Sequence, residues 1–162
     1  MMLPKLLGAA LLLLAAVAFL LCYRRALLTV QAALAAWEHF LTQLRHDIRV
    51  TDMPLSLAVE RLDEGRRRLL TGGMNCSDAM RAEDLFALGS RAVGGVGASA
   101  LLTLYEQIGK AEDGLQVREA IERAAVVLQA EHARCGQETI ARVRIAAALS
   151  LCGALSGILL LW

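Results

Sequence analysis

Hydrophobic positions concentrate at the two ends of the chain, and charged positions occupy its middle. Residues 6–22 form a run of seventeen without a charge, and residues 145–162 form a second run of eighteen. At about 1.5 Å of rise per residue, an eighteen-residue helix covers roughly 27 Å, close to the ~30 Å hydrocarbon core of a bilayer. The pattern therefore predicts two transmembrane helices, which we place at residues 4–23 and 145–162.

Two other interpretations of the apolar ends stay open, namely a buried helical hairpin and, for the first run, a cleaved signal peptide. Lys5, the apolar stretch after it and the Ala-Val-Ala sequence at 16–18 are typical of a signal peptide. However, the apolar run continues as far as Cys22, and Arg24 and Arg25 follow at once. The residues just before Cys22 also lack the small side chain of a lipoprotein signal. A retained anchor is therefore favoured.

Basic residues border both apolar runs on their inner sides and predict the orientation in the membrane. Arg24 and Arg25 directly follow the first run. Arg142 and Arg144 precede the second, and Lys5 is the single basic residue outside them. Because Lys and Arg are enriched on the cytoplasmic side of membrane proteins, the middle of the chain is predicted to be cytoplasmic. The protein would then be a multi-pass protein of the cell membrane with both termini across it.

The same topology predicts the state of the four cysteines. Cys22 and Cys152 belong to the predicted spans. Cys76 and Cys135 would face the cytoplasm, where thiols are kept reduced. We therefore expect no disulfide bond.

The middle of the chain, residues 24–144, has the pattern of an all-α helical bundle. It contains sixteen basic and sixteen acidic residues, so it offers no net charge to nucleic acid. No strand-like alternation of useful length is present, and one helical stripe repeats strictly every seven residues. That stripe consists of Leu27, Val30, Leu34, Trp37, Leu41, Leu44 and Ile48. The pattern leaves open whether it packs within its own bundle or against another subunit.

Turn and capping signals divide this segment into helices. Nothing interrupts the pattern after the first span, so the first helix should continue to about Arg49. Pro54 suits the start of a second helix, which the glycine pair at 72–73 should stop. The apolar face of this helix should consist of Leu55, Ala58, Val59, Leu62 and, further on, Leu69. Asn75 or Ser77 is placed to cap a third helix that carries Met80, Leu85 and Leu88.

The glycines in the second half of the segment predict where the remaining helices begin and end. The third helix should end near the glycine pair at 94–95. A short fourth helix should open at Ser99 and close at Gly109. From about Leu115 a long helix should then continue into the second span. The expected fold is a helical bundle flanked by two transmembrane helices.

Each candidate motif for catalysis or ligand binding lacks some of the residues that it requires. The glycine-rich stretch at 94–97 lacks the Gly-Lys-Ser/Thr that completes a phosphate-binding loop. His132 and Cys135 share a helical face, but a structural zinc site needs four ligands, so we expect a core-facing histidine. His39 and His46 share another face as solvated or interface residues. We predict no enzymatic activity, no cofactor, no metal site and no nucleic-acid partner.

Small residues in the second span predict close helix packing in the membrane. Gly153 and Gly157 are four residues apart, a spacing that lets a second helix approach closely in lipid. The partner could be the first span, where Gly8 and several alanines form a similarly flat face, or a helix of another subunit. These glycines are therefore candidate helix-packing residues.

The order of features along the chain carries a resemblance to a known family. The first span and its arginine pair lead into the leucine-patterned helix, and a Thr-Asp-Met-Pro-Leu-Ser-Leu-Ala element follows at 51–58. A leucine-rich helix at 101–108 then leads to Gly109, Glu112 and Gln116, and a long helix with a glycine-bearing terminal span follows. In this order the chain resembles the stage III sporulation protein AB family of endospore-forming bacteria, which is similar to the cytoplasmic domains of type II secretion platform proteins.

That resemblance implies a non-catalytic inner-membrane platform component, a scaffold in a secretion-like channel complex. Such a complex acts between mother cell and forespore during endospore formation, so the protein would lie in the mother-cell membrane. Its helical bundle would face the secretion-type ATPase, and its spans would contact lipid and other membrane subunits. A homo-oligomer stays open. The polar surface formed by Asp63, Glu64, Arg66, Arg67 and Arg68 is the candidate partner-facing surface, although a solvated helix face would look the same.

Other function classes stay open from the sequence. The chain could be an oligomeric membrane pore, although neither span carries a charge or an amide to hold water. It could also be a membrane-anchored helical adaptor outside sporulation, or a membrane-tethered enzyme with a site built from scattered residues. Conductance in a bilayer would favour the pore, and co-purification with an ATPase would favour the platform.

Overall fold

The protein, represented by a computed structural model, is an all-α chain, as predicted. The structure describes residues 3–51, 54–74, 80–111 and 113–161, and no strand occurs among them. Their helices are α1 (Leu3–Thr51), α2 (Leu55–Glu60), α3 (Glu64–Leu70), α4 (Ala82–Val93), α5 (Gly95–Lys110) and α6 (Gly114–Leu161). The two long terminal helices begin and end within two residues of their predicted limits.

The chain divides into two compact units. The first, which we call the apolar unit, comprises Met1–Leu28 and Gly136–Trp162. The second, the helical unit, comprises Thr29–Cys135. The long helices α1 and α6 each contribute one segment to both units, whereas α2 to α5 belong to the helical unit alone.

From Val30 onward, the apolar stripe of α1 packs inside the helical unit, whereas its first residue, Leu27, belongs to the apolar unit. Leu34, Trp37 and Leu41 are fully buried, and Leu44 is 1% exposed. Val30 and Ile48 lie at the margin of the same core. The stripe therefore packs within its own bundle, which was one of the two alternatives left open by its sequence pattern.

Trp37 is the central side chain of this core. Its indole Nε1 donates a hydrogen bond of 2.9 Å to the backbone carbonyl of Leu70, at the end of α3. Its ring meets those of Phe40 and Phe86 edge-on, with centroids 5.6 Å and 4.9 Å away. Gly89 of α4 lies directly against the indole, since the absence of a Cβ there lets the helix backbone approach. One side chain thus contacts α1, α3 and α4 together.

The single second helix predicted for residues 55–69 is wrong, because the chain forms two helices there. The break falls between α2 and α3, where Asp63 has an extended backbone and its carboxylate accepts a hydrogen bond from the Arg66 N–H at 3.1 Å. This N-cap satisfies an amide that a continuous helix would have bonded internally. The break also shifts the helical face, so Leu70 is buried while Leu69 is 51% exposed.

Helix α4 begins later than predicted. Its N-cap is Arg81, and the side chain there makes no capping hydrogen bond. Asn75 and Ser77, the predicted caps, lie outside the described residues. Met80, expected inside the helix, precedes it and is nevertheless buried at 9% exposure.

Helix α5 begins at Gly95, four residues before the predicted Ser99. Gly94 and Gly95 both have positive φ, at +68° and +53°, so the joint between α4 and α5 requires residues without a Cβ. Gly97 then sits where a Cβ would lie 2.5 Å from a methyl of Val93. The glycine-rich stretch therefore serves as a tight helix–helix joint.

We predict that Gly89→Ala destabilises the protein. The added methyl would overlap the Trp37 ring, which its hydrogen bond and aromatic neighbours hold in place. Overpacking of about 1–3 kcal/mol exceeds the gain of up to about 1 kcal/mol in helix propensity. The unfolding temperature of the full chain in mild detergent, measured by near-UV circular dichroism, should fall by roughly 3–6 °C.

The matched control for this variant is Gly109→Ala in α5. A Cβ at Gly109 would meet no atom within 4 Å, so its unfolding temperature should stay unchanged or rise slightly. Equal unfolding temperatures for the two variants would contradict the packing described for Trp37.

Candidate functional site

The apolar unit contains two helical segments suited to a membrane. The most apolar eighteen-residue windows of α1 and α6 have mean hydropathies of 2.2 and 1.4. None of the first window and 6% of the second is buried inside the protein. Both helices are therefore long and apolar enough to cross a bilayer, and they do not use those segments to build an internal core.

Large apolar side chains of this unit are exposed along both segments. They include Leu7, Leu11, Leu12, Leu13, Leu14, Val17, Phe19, Leu21, Leu28, Ile140, Ile145, Leu149, Leu151, Leu155 and Leu159. Burying one such side chain is worth about 1.5–3 kcal/mol relative to leaving it in water. An apolar surface of this extent indicates a lipid environment or a protein partner.

The two candidate packing glycines of α6 have different surroundings. A Cβ on Gly157 would lie 3.0 Å from Cδ1 of Leu12, so Gly157 packs against α1. Ala154, one turn earlier, is 6% exposed. A Cβ on Gly153 would meet no atom within 4 Å. Gly157 thus lies at a close contact between the segments, while Gly153 faces open space.

That open space is a groove of about 590 Å³ between the α1 and α6 segments of the apolar unit. Its apolar lining includes Leu12, Ala16, Phe19, Ala146, Leu149 and Gly153. Tyr23 and Arg142 line it as well, and Ser150 is the one other polar residue of the lining. We call this space the interhelical groove.

The polar residues of the interhelical groove have few protein partners. Nη2 of Arg142 donates a hydrogen bond of 2.6 Å to Oε2 of Glu138, on the same helix. The Ser150 hydroxyl donates to the carbonyl of Ala147 at 3.0 Å, which satisfies its own helix. The Arg142 guanidinium carries five donors, so this bond leaves donors for a further acceptor.

The predicted partner-facing surface lies on α3, and four of its five residues are exposed. Nη2 of Arg68 is 2.6 Å from Oε1 of Glu64, and Nε of Arg66 is 3.8 Å from Oδ1 of Asp63. Nη1 of Arg66 also donates to Oε1 of Gln43 on α1 at 3.1 Å. These side chains are half or more exposed, so their pairing leaves them available to a partner.

Arg67 does not belong to that exposed surface. The residue is only 8% exposed, and its Nη2 donates a hydrogen bond of 3.2 Å to the carbonyl of Glu60 at the end of α2. It therefore joins α3 to α2 inside the unit. The expectation that Arg67 faces a partner is corrected accordingly, because the break at Asp63 turns Arg67 toward the core.

A small apolar groove beside this surface was not anticipated from the sequence. It has a volume of about 170 Å³ and lies between α1 and α3. Its lining includes His39, Phe40, Gln43, Leu62, Arg66 and Leu69. The sequence pattern predicted that Leu69 faces the core, but in the structure it is exposed beside the charged residues of α3.

His132 is not the core-facing histidine that was expected. Its Nδ1 lies 3.1 Å from Oε1 of Glu38 on α1, and its side chain is 36% exposed. Cys135 is partly buried at the margin of the core. His39 and His46 are exposed, in accord with a solvated or interface position. Within the described ranges, no three His, Cys, Asp or Glu side chains gather as metal ligands would.

The contact between Leu12 and Gly157 gives a direct prediction. In a variant whose native cysteines are replaced by serine, Leu12→Cys with Gly157→Cys should be joined by a short bifunctional thiol reagent, because the two positions are in contact. Protease cleavage within the helical unit followed by electrophoresis would detect the link. Leu14→Cys with Gly157→Cys is the control, since Leu14 is 66% exposed. Equal linking of both pairs would contradict the contact.

Comparison of the whole chain with known proteins finds no match among family models, curated proteins or solved structures.

Proposed function

We propose that this protein is a non-catalytic membrane platform, held in the bilayer by two helices and presenting a helical unit to a cytoplasmic partner. The observation that supports it most is the contrast between the two units. Apolar side chains are buried in the core of the helical unit and exposed along the segments of the apolar unit. Such a chain is suited to anchoring and to binding other proteins.

The charge distribution supports a cytoplasmic helical unit. The apolar unit carries five basic residues and one acidic residue, and four of the basic ones, Arg24, Arg25, Arg142 and Arg144, lie on the side toward the middle of the chain. The helical unit carries twelve basic and fifteen acidic residues. Basic residues at the inner ends of both spans favour a multi-pass protein with the middle of the chain in the cytoplasm.

The more specific form of the proposal follows the resemblance. We place the protein in the stage III sporulation protein AB family, as a platform component of a secretion-like complex between mother cell and forespore. Its partners would then be a secretion-type ATPase on the cytoplasmic side and other membrane subunits within the bilayer.

The α3 surface is a suitable place for the ATPase to bind. It combines exposed charges of both signs with the apolar groove beside Leu69, and such a mixture is typical of transient protein interfaces. Helix α3 is also tied to α1 through the Arg66–Gln43 and Trp37–Leu70 hydrogen bonds. A partner that binds α3 would therefore be held on a helix that is fixed to α1 within the helical unit.

A pore is a less favoured function for these segments. No charged residue occurs in residues 6–22 or 145–162, and the interhelical groove is lined mostly by apolar side chains. An apolar lining of this kind does not hold a continuous column of water.

The platform proposal predicts that charge reversal on α3 separates the protein from its ATPase. The double variant Arg66→Glu with Arg68→Glu should weaken binding about tenfold, because each reversal converts a favourable charge pair into a repulsive one. Co-purification of the secretion-type ATPase with the full chain from the sporulating cell measures the effect.

The control for that experiment reverses two exposed charges elsewhere in the helical unit. Arg91→Glu with Lys110→Glu makes the same change in net charge on α4 and α5, outside the α3 surface. It should leave the ATPase bound. An ATPase that fails to co-purify with the unaltered chain, or that is lost equally from both variants, would refute the assignment of this surface.

A further inference from the structure

The interhelical groove is closed at one end and basic at the other. At its closed end Leu12 packs against Gly157, as described above. At the other end Tyr23 and Arg142 stand on opposite helices and line the same space. Between these ends the lining is apolar except for Ser150, whose hydroxyl is satisfied by its own helix. A ligand for this groove therefore needs an apolar body and one polar end.

The length of the groove matches one leaflet of a bilayer. From Leu12 to Tyr23 the helix rises about 16 Å, at about 1.5 Å per residue. The hydrocarbon core of a bilayer is ~30 Å thick, so one leaflet contributes about 15 Å. An acyl chain that begins at the level of Tyr23 would thus end near Leu12, where the two helices meet.

The charge at the open end favours an anionic head group. Arg142 lines the groove and Arg144 lies two residues after it, while Arg24 and Arg25 directly follow Tyr23 in sequence. Glu138 is the single acidic residue of that unit, and it accepts one hydrogen bond from Arg142. The remaining guanidinium donors and the Tyr23 hydroxyl are suited to phosphate oxygens.

We propose that the interhelical groove binds one acyl chain of an anionic phospholipid, with its phosphate held by Arg142 and Tyr23. The lipid belongs to the leaflet on the arginine side. This inference rests on the proposed membrane location and adds to it a specific lipid site. A spanning helix of a partner subunit fits the groove less well, because the contact between Leu12 and Gly157 interrupts it about one leaflet deep.

The test uses the full chain purified in mild detergent from vesicles of phosphatidylglycerol and phosphatidylcholine in equal amounts. Native mass spectrometry counts the lipid molecules that stay bound to the protein. The unaltered chain should retain one phosphatidylglycerol in preference to phosphatidylcholine. Retention of neither lipid, or of both equally, would overturn the proposal.

Two pairs of matched variants locate the site. Ala146→Leu fills the groove and should abolish retention, whereas Ala148→Leu adds the same bulk at an exposed position outside its lining and should not. Arg142→Gln should lower phosphatidylglycerol retention about tenfold more than Arg144→Gln, since only Arg142 lines the groove and a charge-assisted hydrogen bond to phosphate is worth about that factor. Equal effects within either pair would show that lipid binds by general electrostatics or elsewhere, and would overturn the site.

The membrane location is measured separately on the same samples. Flotation with the vesicles before detergent is added reports whether the chain is in the bilayer at all. A chain that floats but retains no phosphatidylglycerol overturns the lipid site and leaves the platform proposal standing. A chain that does not float overturns both. Loss of a bound second protein or of a dimer in Ala146→Leu, with lipid retention unchanged, would assign the groove to a helix instead.

Discussion

An apolar side chain that a folded protein leaves in water forgoes about 1.5–3 kcal/mol that burial would have contributed. Domains of this size are stable by only about 5–15 kcal/mol, so a few such side chains weigh as much as the whole fold. The helical unit buries its apolar side chains in its own core, where Trp37 and its neighbours are fully buried. The apolar unit cannot bury its side chains in this way, because two helices packed side by side cannot cover one another's outer faces. The arrangement is consistent only if something other than water surrounds that unit.

Helix α1 contributes a segment to each unit, and the pattern of apolar and charged residues differs between the two segments. Between residues 6 and 22 α1 carries no charged residue and is apolar on all sides, as is typical of a helix in lipid. In the helical unit it is amphipathic, with a seven-residue stripe facing the core and charged residues such as Arg45 outside, where Arg45 pairs with Glu122 of α6 at 3.0 Å. The buried Trp37–Leu70 hydrogen bond fixes α3 against this stripe. A partner that binds α3 therefore binds a helix that is held against α1 within the helical unit.

The long helices α1 and α6 were predictable from the sequence, whereas the short break between α2 and α3 was not. Helices α1 and α6 extend over 49 and 48 residues because no proline occurs beyond the first turn of either helix, and both were expected. The division between α2 and α3 was missed because Leu62 and Leu69 look like one apolar face until Asp63 is recognised as an N-cap. Once the helix restarts at Glu64, Leu70 replaces Leu69 in the core and Arg67 turns inward. The assignments of Arg67 to the surface and of Leu69 to the core were therefore wrong for the same reason.

The periodicity of apolar residues did not predict contacts between residues that are far apart in the sequence. The pairing of His132 with Glu38 joins residues 94 positions apart, and no spacing rule connects them. Similarly, the small-residue motif does not distinguish Gly157, which lies against Leu12 of α1, from Gly153, which lines the interhelical groove. The groove at Gly153 depends on which side chains stand opposite it on α1, and this is a property of the pair of helices together.

The central claim is that the exposed apolar helices are surrounded by lipid. Extraction of cell membranes with alkaline carbonate tests it most directly, because this treatment releases proteins held by polar contacts and leaves integral ones behind. The full chain should stay in the membrane pellet with a known integral protein, and detergent should then release it. Recovery of the intact chain in the carbonate supernatant would contradict the account.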